Sequence, residues 1–319
     1  MQHMSLLEVL CDNNYHSGED LAAQFDVSRA TISNWIGQIR DSGIDIHSVP
    51  GRGYLLPAHM QPLNFQQLQA GLPANFHYLL SRETNSTNEE VKQLFKQKKL
   101  AAETIVLSAT DKQTQGRGRR GREWISPFAQ NLYFSLGIQI NLPMAELSGL
   151  SLVVGIAVAK ALQAHQLNPQ LKWPNDVYLS GKKLGGILIE LEGNFEPPYS
   201  VVIGVGLNVN MVESTQNIDQ AWNSLALHSG NNWPRTQVLI DLVTEINQQV
   251  ELFCQQGFAP FAKLWPEFDV YLNQQVNIVS GERVEQGTNI GVDERGNLLL
   301  QQGNIVKSIT GGEVSLRPV

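Results

Sequence analysis

Apolar residues recur at helical spacing in three short runs over the first forty residues. SLLEVLCDN ends in a polar turn. SGEDLAAQFDV follows, with Ser17 placed to cap a helix that turns Leu21, Ala22 and Phe25 to one face. SRATISNWIGQIRDSG opens at a second cap, Ser28, sends Ile32, Ile36 and Ile39 inward, and stops at Gly43. In IDIHSVPGRGYLL the period changes to two around a Pro50-Gly51-Arg52-Gly53 turn, predicting a hairpin. Helices followed by a hairpin predict a winged helix-turn-helix. Its second paired helix would enter the major groove with Arg29, Thr31, Ser33 and Asn34, and Arg52 would sit on the wing.

After PAHMQPLN, a Pro-containing junction, strands and helices alternate to about residue 268. Strands are predicted at ETIVLSAT, NLYFSLGIQI, LKWPNDVYL, KLGGILIELEG and SVVIGVGLNVN. Helices are predicted at STNEEVKQLFKQ, LSGLSLVVGIAVAKALQAH and TQVLIDLVTEINQQVELFCQQ. Several strands succeed one another without an intervening helix, so a mixed α+β sheet fits better than a doubly wound parallel one. The tail has short alternating strands with turns at SGE, DERGN, QQGN and TGGE, which predicts a small β-barrel. The expected domains are 1–61, 62–268 and 269–319.

Composition narrows the function. The chain has 319 residues and 42% apolar content, as expected of two or three globular domains. Its net charge of -7 argues against general nucleic-acid affinity. Residues 1–60 hold three arginines against seven carboxylates, and phosphate contacts dominate DNA affinity. This acidity favours the alternative of a small helical domain for protein contacts, against the motif order that favours DNA. Cys11 and Cys254 have no metal-ligand spacing and suit a reducing cytoplasm; no protein-held metal is expected. The start lacks the pattern of a signal peptide. The longest apolar run, LSGLSLVVGIAVA, is about thirteen residues, which reads as a buried helix instead of a membrane span.

One stretch, QGRGRRGREW, carries candidate chemistry. GRGRRG fits the dinucleotide pattern G-x-G-x-x-G, but the context fails: polar DKQTQ precedes it, and Pro127 and a strand follow where a helix should begin. A Walker A loop would need Gly-Lys-Ser/Thr at its end. An exposed basic turn and a loop that approaches an anion both remain open. Clusters elsewhere add weight: KWPNDVYL with Lys172, Trp173, Asn175 and Asp176, KKLGGILIELEG with Lys183, and GVGLNVN with Asn208 and Asn210.

Together ETNSTN, QTQGRGRRGREW, FAQNLYFSL, KWPNDVYL, KLGGILIE, GVGLNVN and GGEVSLR resemble a biotin–protein ligase over essentially the whole chain. The added helix-turn-helix resembles the bifunctional form of that family, which also represses the biotin operon. The resemblance implies a class II synthetase-like central domain and an SH3-like C-terminal barrel. It implies that biotin and ATP, with Mg2+, give biotinyl-5'-AMP and pyrophosphate, and that a lysine of a biotin carboxyl carrier protein then takes the biotin. It further implies operator DNA as a partner, and a homodimer when biotinyl-5'-AMP is bound, in the cytoplasm and without a membrane.

Carried over residue by residue, the resemblance assigns Ser86, Thr87, Asn88 and Gln113 to biotin, with Ile187 beneath the ureido ring. ETNSTN holds two candidate Thr/Ser-Asn pairs, and the site is placed on the second because STN opens a helix. Arg117, Gly118 and Arg119 would close over biotin and the adenylate, with Arg122 beside them. Lys183 would stabilise charge at the biotin carboxylate and α-phosphate, Lys172 would contact phosphate, and Asn175 would border the adenylate. Asp176 would orient or deprotonate the incoming amine, or be a structural partner of Lys172. Asn208 would face the triphosphate and metal, and Trp222 either covers adenine or is a structural tryptophan. A lipoate–protein ligase and a ligand-sensing repressor without catalysis are the alternatives.

Overall fold

The structure, a computed structural model, describes residues 2–12, 14–97, 101, 103–192, 196–214, 218–281, 283–311 and 315–318. Its first unit comprises α1 (Gln2–Leu10), α2 (Gly18–Gln24), α3 (Arg29–Asp41) and the hairpin β1 (His47–Val49) with β2 (Gly53–Leu55). Both expected caps form: Ser17 Oγ accepts the Asp20 N–H at 3.0 Å and Ser28 Oγ accepts the Thr31 N–H at 3.1 Å. Leu6, Leu10, Leu21, Ile32, Ile36 and Ile39 are buried together, joined by Phe128 and Ala129 from the central unit. Arg29, Ser33, Asn34 and Arg52 are exposed, and Thr31 is half-buried. Arg29 donates to Glu19 at 3.0 Å, but both side chains are at least 70% exposed, so the pair yields readily to a competing phosphate.

The central unit begins with α4 (Phe65–Gly71), β3 (Phe76–Ser81), α5 (Thr87–Gln97), β4 (Ile105–Thr110) and β5 (Leu132–Ile140). It continues through α6 (Leu150–Ala164), β6 (Pro169–Lys172), β7 (Asp176–Leu179), β8 (Lys182–Glu192) and β9 (Tyr199–Leu207), and ends with α7 (Leu225–Ser229), α8 (Arg235–Gln256) and α9 (Ala259–Phe268). The sheet runs β3-β4-β5-β9-β8-β7-β6, with β3 and β4 parallel and the remaining neighbours antiparallel. This is the mixed sheet expected from consecutive strands. Side chains alternate across it: Val106 and Val202 pack with Val91 and Leu94 of α5, while Leu107, Val201 and Ile203 join the main core with α6 and α8.

LKWPNDVYL differs from the single strand expected. A turn at 173–175 splits it into β6 and β7, because Pro174 has no N–H to continue a ladder, and Lys172 then pairs with Asp176. With the 3-10 turn before α6, Met144–Ala164 reaches 21 residues, long and apolar enough to cross a bilayer by length and composition. Yet 72% of its most apolar stretch is buried, where α6 packs between the sheet and α8, as expected of a core helix.

Strands β10 (Gln275–Ser280), β11 (Arg283–Val292), β12 (Leu298–Gln302), β13 (Ile305–Ile309) and β14 (Ser315–Pro318) form an antiparallel sheet in the order β13-β12-β11-β10-β14. Residues 312–314 of the motif GGEVSLR lie outside the described residues. This sheet docks on the 173–175 turn, where Trp173 Nε1 donates to Gly296 O at 3.1 Å.

The three-way junction near residue 62 rests on Asp111, which is fully buried. Its carboxylate accepts the Leu63 N–H at 3.0 Å, Arg82 at 2.6 Å and Arg235 at 2.8 Å. Arg82 also grips Glu8 of α1 through two 3.0 Å bonds. Removing the anion leaves two guanidiniums facing each other in a dry site. Asp111→Ala should therefore cost about 3–5 kcal/mol in urea unfolding. Glu8→Ala, at a half-exposed carboxylate, should cost no more than about 1 kcal/mol.

Candidate active site

The turn between β6 and β7 and the start of β8 bring the charged residues together. Asp176 opens β7 opposite Gly186, and a register shift after Val177 brings Lys183 level with Tyr178. Lys183 Nζ consequently lies 2.8 Å from Asp176 Oδ1, with both side chains only about one-seventh exposed. The direct side-chain partner of Asp176 is therefore Lys183, while its backbone pairs with that of Lys172 across the turn. The Lys172 ammonium instead sits 3.4 Å from the Tyr178 hydroxyl. Burial, with Lys183, Arg317 and Arg122 nearby, pulls it below the ordinary lysine value although Asp176 opposes the shift.

Residues 116–124 form a small hairpin above these groups. Trp124 N donates to Gly116 O at 2.9 Å and Gly118 N to Arg122 O at 2.7 Å, with Arg120 and Gly121 in left-handed conformations at its tip. Gly116 is dictated by the closure, since a Cβ there would lie 2.5 Å from Trp124 O. Arg119 donates to Asn175 Oδ1 at 3.1 Å and to Gly311 O at 2.6 Å, so the hairpin bridges to both the turn and the C-terminal sheet. Burial holds its guanidinium below the ordinary arginine value, still protonated at neutral pH.

Away from these cations, the start of α5 supplies neutral polar groups. Ser86, Thr87 and Asn88 are all at least 95% buried. Thr87 N donates to Gln113 Oε1 at 3.0 Å. Arg117 does not extend toward free space: its guanidinium bonds Glu89 and lies 3.2 Å from Glu190 Oε1. Glu190 also accepts Asn88 Nδ2 at 2.6 Å and Lys92 at 3.1 Å. Hydrogen bonding to Lys92 is the main reason the Glu89 carboxyl falls below its usual 4.5, with Arg117 adding to it. Burial would raise Glu190, but Asn88, Lys92 and Arg117 together hold it lower.

A single cavity of about 1160 Å³ joins the two ends and is lined by Ser86, Thr87, Asn88, Gln113, Arg117, Gly118, Arg119, Arg122, Lys172, Asn175, Asp176, Lys183, Ile187, Asn208 and Trp222. Sequence reasoning thus placed its candidates around one space. Two are occupied with holding the walls. Asn208 is 5% exposed, donates to Asn223 O at 3.0 Å and accepts Asn131 Nδ2 at 3.3 Å. Asn175 Nδ2 donates to Ile187 O at 3.0 Å. Trp222 is half-buried, its backbone bridged to Lys183.

Several lining residues were missed. Trp124 lies under Lys183, whose ammonium is 5.7 Å from the ring centre, and its buried indole N–H has no protein acceptor among the described residues. Tyr271 and Arg317 come from the C-terminal unit, Arg317 being the last residue of the GGEVSLR motif. Glu190 had a visible signal, a carboxylate inside the apolar strand KLGGILIELEG.

The arrangement offers an anion-binding end and a neutral, directional end within one cavity. Residues 80–208 match the biotin/lipoate A/B protein ligase family, 3–55 an HTH domain, and 271–317 the biotin protein ligase C terminal domain. The chain is 37% identical to the bifunctional ligase/repressor BirA of Escherichia coli, over 98% of this chain and 97% of that one. It is 25% identical to the protein of that name from Bacillus subtilis, over 95% and 94%. The biotin protein ligase from Aquifex aeolicus, solved with biotin and ATP, superposes with a TM-score of 0.65 at 32% identity, covering 76% of this chain and 99% of that one.

The ion cluster around Arg117 predicts a pH dependence. Glu89 and Glu190 are lowered on folding, so their stabilisation is complete above 4.5 and is lost as pH falls through the lowered values. Urea midpoints of the wild-type chain and Glu89→Gln should differ most at neutral pH and converge as the pH falls below 4.5 and through the lowered Glu89 value.

Proposed function

The chain belongs to the biotin–protein ligases, in their bifunctional ligase/repressor form, and from that premise we propose how its residues divide the work. It is a biotin–[acetyl-CoA-carboxylase carrier protein] ligase and a transcriptional repressor. A biotin carboxylate oxygen attacks the α-phosphorus of ATP and pyrophosphate leaves. A carrier lysine amine then attacks the acyl carbon of biotinyl-5'-AMP, and AMP leaves. Mg2+ enters with ATP, as the counter-ion of its phosphates.

The observation that carries this is the joining of two unlike ends in one cavity. Ser86, Thr87, Asn88 and Gln113 bind the ureido ring. Lys183 meets the carboxylate and α-phosphate as negative charge gathers there, with Arg119, Arg122 and Lys172 supplying further fixed cations. Asp176, 2.8 Å from Lys183, orients that side chain and later receives the carrier amine. Trp222 stands at the adenine end. Arg117 contributes through the backbone of its loop, because its guanidinium is engaged by Glu89 and Glu190. Asn175 and Asn208 support the walls.

Residues 1–61 read the operator through Arg29, Thr31, Ser33, Asn34 and Arg52, residues 62–268 hold biotin and ATP, and residues 269–319 complete the cavity. The adenylate orders the glycine-arginine hairpin and so favours a homodimer that presents two DNA-binding domains, in the cytoplasm.

Incubation with labelled biotin, ATP, Mg2+ and a carrier domain tests the activity. Label should appear on the carrier lysine. A chain that binds biotin but leaves the carrier unlabelled would be a sensor only, and preference for lipoate would indicate the other ligase. Loss of one charge-assisted contact costs about 1.5–3 kcal/mol, so Lys183→Ala and Arg119→Ala should each slow adenylate formation by roughly ten- to 150-fold without lowering the urea midpoint appreciably. Wild-type rates in both would place the chemistry elsewhere.

A further inference from the structure

The glycine-arginine hairpin is joined to the rest of the chain in two different ways. Its entry leg is zipped by backbone: Thr114 N donates to Thr84 O and Gln115 N to Asn85 O, both at 2.9 Å. Beyond Gly116 the backbone bonds turn inward, from Gly118 N to Arg122 O at 2.7 Å and from Trp124 N to Gly116 O at 2.9 Å. Among the described residues, no backbone bond ties 117–123 to a neighbouring element. Side chains must hold the hairpin over the cavity, and Arg117 is the first of them.

Its guanidinium meets a braced cluster. Arg117 Nη2 donates to Glu89 Oε1 and lies 3.2 and 3.3 Å from the two Glu190 oxygens. Lys92 Nζ is 2.6 Å from Glu89 Oε1 and 3.1 Å from Glu190 Oε1, so it ties the two carboxylates together from behind. Glu89 and Lys92 stand three apart on one face of α5, and Glu190 belongs to β8. Two cations and two anions thus close a neutral network between hairpin, helix and sheet. The brace is its more buried half: the Lys92 and Glu190 side chains are 14% and 24% exposed, against 32% and 36% for Arg117 and Glu89. A network outlasts an isolated surface pair, and its accessible arm is the one that opens to water.

We propose that Glu89, braced by Lys92 and Glu190, is a positioning residue for the hairpin: a charge latch on Arg117 whose opening sets how fast a bound acyl-adenylate escapes. The identity of that ligand rests on the function proposed above; the latch itself is made by the chain alone. Glu89, Lys92 and Glu190 are absent from the described cavity lining, so they act through Arg117 and not on the ligand. Holding Arg117 also withholds its charge from the phosphate, which is left to Arg119, Arg122, Lys172 and Lys183. Removing the latch therefore has a defined sign: the hairpin loosens and the ligand leaves sooner.

Two measurements on the full-length chain test this. In the ligand-free chain, tryptic cleavage after Arg119, Arg120 or Arg122, followed by fragment mass, should be roughly fivefold faster in Glu89→Gln, the scale of one ion pair in a partly exposed network. Release of labelled biotinyl-5'-AMP, formed in place and chased with unlabelled biotin, should accelerate by a similar factor. Slower release would mean that the carboxylates merely keep Arg117 from the ligand, and it overturns the proposal. So does an unchanged rate.

Glu89 also stands in the first turn of α5, where a carboxylate stabilises the helix whatever Arg117 does. A double variant separates the two roles. With Arg117→Gln already present, Glu89→Gln should add nothing to either rate, because a latch that has lost one arm cannot be opened further. Additive effects assign Glu89 to the helix alone and overturn the latch while leaving the ligase reading intact. A wild-type chain that forms no adenylate, with the tryptic difference still present, overturns the ligase reading alone.

Discussion

A buried carboxylate without counter-charges would be among the most costly groups a protein could hold, and Asp111 is fully buried. Arg82 and Arg235, distant from it in sequence, reach it at 2.6 and 2.8 Å. Meeting that need brings the end of β4, the linker at 61–63, the start of α8 and, through Glu8, the first helix of the DNA-binding unit to one point. The next two residues extend the arrangement. Lys112 Nζ lies 2.9 Å from Ser42 O, at the end of the recognition helix, and Gln113 accepts the Thr87 N–H inside the cavity. The small-molecule site and the DNA-reading helix therefore share a support.

Within the cavity, charge is segregated. Lys172, Lys183, Arg119 and Arg122 gather at one end, where Asp176 compensates part of their charge. The opposite end is lined by hydroxyl and amide groups, with Glu190 accepting the Asn88 amide from behind. The glycine-arginine hairpin spans the two. Its first arginine is bound to Glu89 and Glu190 near the neutral end, and its second reaches Asn175 and Gly311 near the cationic end. A loop fixed at both ends by replaceable polar contacts is suited to ordering further around a ligand.

Periodicity made much of this legible. Ser17 and Ser28 read correctly as caps, and the run of strands without helices between them read correctly as a mixed sheet. What escaped depended on partners far away in sequence. Strand β3 is a sheet edge with a half-buried pattern, and α9 has Pro266 inside it, so neither shows a clean period. LKWPNDVYL read as one strand because its alternation survives the turn that Pro174 imposes. The two carboxylates that engage the Arg117 guanidinium, one of them 73 residues downstream, could not be read from its loop. Ser135 looked like any polar residue in a core strand; its bonds to Thr87 and Asn88 join residues 48 and 47 positions away.

The central claim is that one acyl phosphate is held between Lys183 and Arg119. A crystal structure of the chain with a non-hydrolysable biotinyl-adenylate tests it most directly. The phosphate-mimicking group should lie within about 2.7–3.2 Å of Lys183 Nζ and of the Arg119 guanidinium, with the ring ureido N–H on Thr87 Oγ1. An analogue bound elsewhere in the cavity, with Lys183 still closed on Asp176 and Arg119 still on Asn175, would contradict it.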